Sequence, residues 1–258
     1  MHPMTVPIIS TKLPARMTLF SRSLIIVLLL LHAAVGAEGK IYLVAAGISD
    51  YPGKRNDLAL SAADARTIAW LYGENSATET MLLLNNNATA ANITAAITSV
   101  FGKAGEGDIV VFFFSGHGVR GGFVAYDRVL SYEQVRNAMA RSRSKNKMIF
   151  ADACYSGRLR TWEGDDEQVE AAKRANVMLF LSSRSNEKSI ENKRMKNGFF
   201  TTYLQKGLRG HADSNRDRTI TARELFEYVH NGVAEISKGR QHPVMWGNFA
   251  DDMPVMQW

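Results

Sequence analysis

The chain has 258 residues, 46% of them hydrophobic and 22% charged, which suits one globular domain with a sizeable core and excludes a disordered chain. Its formal charge of +6 overstates its basic character, because residues 1–37 hold Lys12, Arg16 and Arg22 and no acidic residue, leaving 28 basic against 25 acidic residues. Those charges are scattered and not interleaved with aromatic residues, so no nucleic-acid partner is expected.

Residues 1–37 read as an export signal. Arg16 and Arg22 precede an apolar run from Leu24 to Leu31, and Val35 and Ala37 supply small residues before a cut. The run falls short of the roughly 18–20 apolar residues of a spanning helix, and His32 interrupts it. The expected mature protein is therefore residues 38–258, exported to a periplasm or secreted. No stable membrane association is expected once the signal is cut.

From Lys40 onward, apolar runs alternate with helical patterns. Ile41–Ile48 is continuously apolar, as a strand covered on both faces should be. Asp57–Tyr72 has helical spacing, and Met81–Leu84 predicts a short second strand. Thr89 caps a helix to about Phe101, and Ile109–Phe114 is a third strand. Ser131 and Gln134 form a capping box for a helix to about Arg141. Met148–Phe150 is the next strand and Val177–Leu181 another. Phe199–Arg209 and Thr221–Ala234 read as helices, the latter with Thr221 and Glu224 as its capping box. This alternation predicts an α/β fold, a three-layer αβα sandwich around a mostly parallel sheet. A charged stretch, 158–175, separates a larger part (about 40–157) from a smaller part (about 176–258) of one domain.

Two strand ends are chemically loaded. One reads Ser115-Gly116-His117-Gly118, the other Asp152-Ala153-Cys154-Tyr155-Ser156-Gly157. Sites in open α/β sheets lie beyond the carboxyl ends of the strands. If these two strands are parallel neighbours, His117 and Cys154 emerge at one edge. Cys154 is the sole cysteine, so it cannot staple the fold. A thiol beside an imidazole is a nucleophile with its base. Taken separately, the Cys reads as a small core residue and the His as a hydrogen-bonded turn residue. Zinc is not expected, because one Cys without paired His or Cys spacing is no ligand set.

These two motifs, in this order, resemble the caspase-like peptidases of bacteria and the metacaspases. The resemblance runs from about Lys40 to Val244. It includes Asn56–Arg66, Leu181-Ser182-Ser183-Arg184 with Glu187, Ser189 and Glu191, Gly198-Phe199-Phe200-Thr201, and Gln241-His242-Pro243. It implies a cysteine endopeptidase with His117 and Cys154 as catalytic dyad, and with the amides of Gly118 and Cys154 as oxyanion hole. It implies further that Asp152 selects a basic P1 side chain, with Asp64, Ser115 and Ser182 at other pocket positions. A partly buried carboxylate attracts Arg or Lys and rejects Asp, which agrees. Asp152 also reads as a turn or helix-cap carboxylate. His117 and Cys154 are only 37 positions apart, and the segment between them lacks the acidic cluster that binds activating calcium in metacaspases. Tyr155 stands where bacterial relatives often carry His.

Asp213, Asn215, Asp217, Thr219, Thr221 and Glu224 fit positions 1, 3, 5, 7, 9 and 12 of an EF-hand loop. Arg218 occupies position 6, where the sharp turn asks for Gly, and Thr221 and Glu224 already serve a capping box. A degenerate turn before a helix is the competing reading, and no other cofactor is expected. The expected partner is a peptide or protein substrate. Arg158, Arg160, Lys173 and Arg174 raise self-processing in the linker, against a plain solvated loop. Three other functions compete: a catalytically idle caspase-like binding or scaffold module, a cysteine hydrolase acting on amides or esters that are not peptides, and a calcium sensor.

Overall fold

The computed structural model describes residues 39–119, 121–153, 177–183, 195–247 and 249–257. The segment 1–37 expected to be an export signal, Cys154, the stretch 158–175 expected to be a linker, and Glu187, Ser189 and Glu191 lie outside these described residues.

In chain order, β1 (Ile41–Gly47) leads to α1 (Ser61–Gly73), β2 (Thr78–Leu84), α2 (Ala90–Phe101) and β3 (Ile109–Gly116). Three short strands follow, β4 (Gly118–Val119), β5 (Gly122–Val124) and β6 (Val129–Ser131), then α3 (Tyr132–Ala140) and β7 (Asn146–Ala153). Beyond come β8 (Val177–Leu181), α4 (Phe199–Lys206), β9 (Thr219–Thr221), α5 (Ala222–Ile236), β10 (Val244–Trp246) and β11 (Pro254–Gln257). Among the described residues, six strands form the main sheet in the order β10-β8-β7-β3-β1-β2. All its pairs are parallel except β10 with β8.

β1 and β3 are buried at every position, as continuous apolar runs predict. Alternate residues serve opposite faces. Leu43, Val111, Phe113 and Phe150 join a core with Ile68 of α1, Phe200 of α4, and Leu225 and Val229 of α5. Val44, Phe112, Phe114 and Ile149 join another with Ile93 and Ile97 of α2 and Val135 of α3. Among the described residues the helices thus sandwich the sheet, three on one face and two on the other.

Thr89 Oγ1 accepts from Asn92 N, and both predicted capping boxes are complete. Helix α1 starts at Ser61, not Asp57, because Lys54–Asn56 forms a 3-10 turn and the Asp57 carboxylate accepts from Tyr51 N at 3.2 Å. β2 starts three residues earlier than its apolar run, since an edge strand leaves Glu79 and Thr80 exposed. The helix expected to reach Arg209 is α-helical only to Lys206. It widens to a π turn over Gly207–His211, where Gly210 takes φ 103°.

Candidate active site

β3 and β7 run parallel in a register that pairs Ser115 with Asp152 and Gly116 with Ala153. The next residues of the two strands are His117 and Cys154. The carboxyl edge of the sheet therefore carries a row of polar strand ends: Ser115, Asp152 and Ser182, the last following β8 next to Ala151.

Several groups fix His117. Its backbone N–H donates to Tyr51 Oη at 3.0 Å, and its carbonyl accepts from Val124 N at 2.9 Å. Tyr51 Oη in turn donates to Val124 O at 2.9 Å, and its ring lies 4.8 Å from the imidazole. His117 Nε2 sits 2.7 Å from Asn56 O. A carbonyl oxygen only accepts, so Nε2 carries the proton and Nδ1 keeps a lone pair in the neutral ring. The 3-10 turn Lys54–Asn56 presents that carbonyl, and Gly53 starts it at φ 87°, a conformation that favours glycine. Gly116 keeps the passage open: a Cβ there would stand 2.6 Å from Tyr51 Oη.

On the α1 face of the sheet edge, two carboxylates are buried together, with Asp64 2% and Asp152 7% exposed. Asp64 Oδ2 accepts from Ser115 Oγ at 3.0 Å, while Oδ1 accepts from Asn197 Nδ2 at 2.9 Å and Gly198 N at 3.1 Å. Asp152 Oδ2 accepts from Thr201 Oγ1 at 3.1 Å. Gly198 fits between them: an added Cβ would lie 2.7 Å from Asp152 Oδ2 and 3.6 Å from Asp64 Oδ2. Burial, and then the negative charge of Asp152, push the Asp64 carboxyl well above the usual carboxylate range. The donors from Asn197, Gly198 and Ser115 oppose that rise and do not cancel it. Such a pair gains most from a cation placed beside it. Fully buried Ser182 accepts at its carbonyl from Gln241 Nε2 at 2.8 Å, which binds the end of β8 to the chain before β10.

A model of the Caspase domain matches residues 42–253. The chain belongs to the caspase-domain family. The caspase domain is a cysteine-peptidase domain, and a protein or peptide substrate goes with it. Among solved structures, caspase-1 from Spodoptera frugiperda superposes with a TM-score of 0.61 at 12% identity, over 83% of this chain and 88% of that one. A protein of Geobacter sulfurreducens gives 0.60 at 18% identity, over 80% of this chain and 92% of that one. These likenesses carry the three-layer fold. A search of curated proteins returned no match.

Within this caspase domain, Asp64, Ser115 and Asp152 come together as one buried polar cluster, with Ser182 at the neighbouring strand end. Gly118 follows His117 at the same edge and is buried. Cys154 lies outside the described residues. Three participants went unassigned from sequence: Tyr51, the Asn56 carbonyl and Asn197. Asn197 adjoins the Gly198–Thr201 motif, which was the available signal.

The Asp213–Glu224 segment follows the π turn and runs through β9 into the first turn of α5. Asp213 accepts from the backbone N–H of Asp217 and Arg218, Asp217 from Thr219, and Glu224 from Ser214 and Thr221. Arg218, at the Gly position, takes φ 68°. Among the described residues no three His, Cys, Asp or Glu side chains converge as a metal site.

Proposed function

We propose that this chain is a cysteine endopeptidase in which His117 is the base and Cys154 the nucleophile, and that it cuts after Arg or Lys. The observation that supports this most is the register: Gly116 and Ala153, the residues preceding His117 and Cys154, are paired across neighbouring parallel strands.

In this reading, Nδ1 of His117 takes the thiol proton and the thiolate attacks the scissile carbonyl carbon. The oxyanion accepts from the N–H groups of Gly118 and Cys154. The imidazolium, steadied by Asn56 O, returns its proton to the leaving amine, and a thioester remains. Water gives a proton to Nδ1, attacks the thioester and releases the acid, and the thiol is restored. Asp64 and Asp152 hold the P1 guanidinium or ammonium, with Ser115 and Ser182 beside them. An Asp at P1 would set a further negative charge beside this pair and is rejected.

The test is turnover of coumarin-amide peptides ending in Arg, Lys or Asp. Arg and Lys substrates are cut and Asp substrates are not, and Cys154→Ala and His117→Ala each abolish cleavage. Turnover that survives Cys154→Ala overturns the mechanism. Export rests on the charged, apolar and small-residue segments of positions 1–37. Self-processing within 158–175 rests on its four basic residues. It is tested by intact mass against Cys154→Ala, where masses that differ only by the substituted sulfur end the idea.

A further inference from the structure

We propose that the cleft beside His117 is the subsite for the leaving-group side of the substrate, and that it takes an uncharged, apolar or aromatic side chain. The inference rests on the peptidase reading and extends it across the scissile bond.

The sheet separates the two sides of the site. On β3, Ile109, Val111 and Phe113 face the α1 layer, and Ser115 continues that series to meet Asp64. Val110, Phe112 and Phe114 face the other layer, with Tyr51 and Ala125. The acid pair therefore lies at the edge of one face. A cleft of about 450 Å³ opens at the edge of the other, and His117 and Gly118 belong to its wall. A peptide laid over the strand ends must send its two halves to different places. Its P1 side chain goes to the carboxylates. Its leaving amine must sit by the imidazole that protonates it, and so enters the cleft that starts there.

The walls state the chemistry of the occupant. Tyr51, Pro52, Val119, Tyr126 and Val129 supply aromatic and aliphatic surface. Val129 is 47% exposed, an uncovered apolar residue at the cleft. The two charges present cancel locally, since Arg128 Nη1 donates to Asp127 Oδ2 at 3.0 Å. The cleft is also preformed: Ala125 N donates to Arg128 O, Tyr126 N to Ala88 O, and Val124 N to His117 O. An apolar side chain gains by leaving water there, while a charged one loses hydration and meets only Arg128 and Asp127, which are already paired with each other.

Quenched peptides with Arg at P1 and a fixed acyl side, varied over Leu, Phe, Gly, Asp and Lys at the first and second positions after the cut, test this directly. The expected result is kcat/KM for Leu and Phe about tenfold or more above Asp and Lys at one of those positions. Val129→Arg should raise the Asp-to-Leu ratio at that position about tenfold. A flat profile in the wild type, or a ratio unmoved by Val129→Arg, overturns the subsite. If the wild type cuts an Arg coumarin-amide while its profile is flat, only the subsite falls. If it cuts no Arg substrate at all, the peptidase reading falls and takes the subsite with it.

Discussion

A carbonyl and a phenol do most of the positioning of His117. Asn56 O fixes which ring nitrogen carries the proton, and Tyr51 Oη holds the backbone that carries the ring. Tyr51→Phe keeps the ring packing and removes only the hydroxyl, leaving His117 N–H and Val124 O without that partner. Such a loss costs about 1–3 kcal/mol of stability. In the peptidase reading, kcat falls by about 10- to 100-fold through misplacement of the base, with KM for an Arg coumarin-amide little changed. Steady-state kinetics check the split, and a raised KM with unchanged kcat would contradict it. These helpers were illegible in the sequence for a physical reason. A backbone carbonyl has no residue-type signature, and Tyr51 reaches His117 across 66 positions. His117, Asp64, Ser115 and Asp152 were legible because their strand-end and helix contexts repeat a family pattern.

Elements whose signals are local were read well. The capping boxes at Ser131–Gln134 and Thr221–Glu224, and the cap at Thr89, depend on residues three apart. Strands β4, β5, β6 and β9–β11, of two to four residues, are too short to show a period, and they exist because partners elsewhere complete them. β4 and β5 matter most, since they form one wall of the cleft beside His117. The packing of α1 on β1 is another long-range fact. A Cβ on Gly47 would lie 2.5 Å from both Ala65 Cβ and Ser61 O, which are helix atoms that cannot swing aside. Gly47→Ala must push α1 outward, at a cost of about 1–3 kcal/mol. In the peptidase reading α1 brings Asp64 to the P1 side chain, so the same shift should lower kcat/KM for Arg and Lys substrates as well as stability. A urea midpoint measured alongside kcat/KM for Arg and Lys substrates checks both effects. An unchanged midpoint would show that the contact relaxes freely.

At the scale of the whole molecule, the acid cluster draws on α1, β3, β7 and the start of α4, so it exists only in the folded chain. Folding therefore carries a titration. Asp64 is held above its ordinary range by burial and by Asp152, so the folded state binds a proton that the unfolded state has already released. The contribution of this group is fully present below the ordinary carboxylate range. It is lost as pH rises through the raised value, so over that window the ligand-free protein loses stability with rising pH. Asp64→Asn removes one of the two buried carboxyls while its amide still accepts from Asn197 and Gly198 and donates to Ser115, so its stability should fall less over the same window. In the peptidase reading, a bound P1 guanidinium reverses the sign. It favours the ionised carboxylate, drives the proton off, and binds more tightly as pH rises. Calorimetry of a peptide aldehyde ending in Arg, run in two buffers of different ionisation enthalpy, should register proton release in the wild type and much less in Asp64→Asn. Proton uptake on binding, or equal release from both proteins, would mean that the cation does not meet this pair.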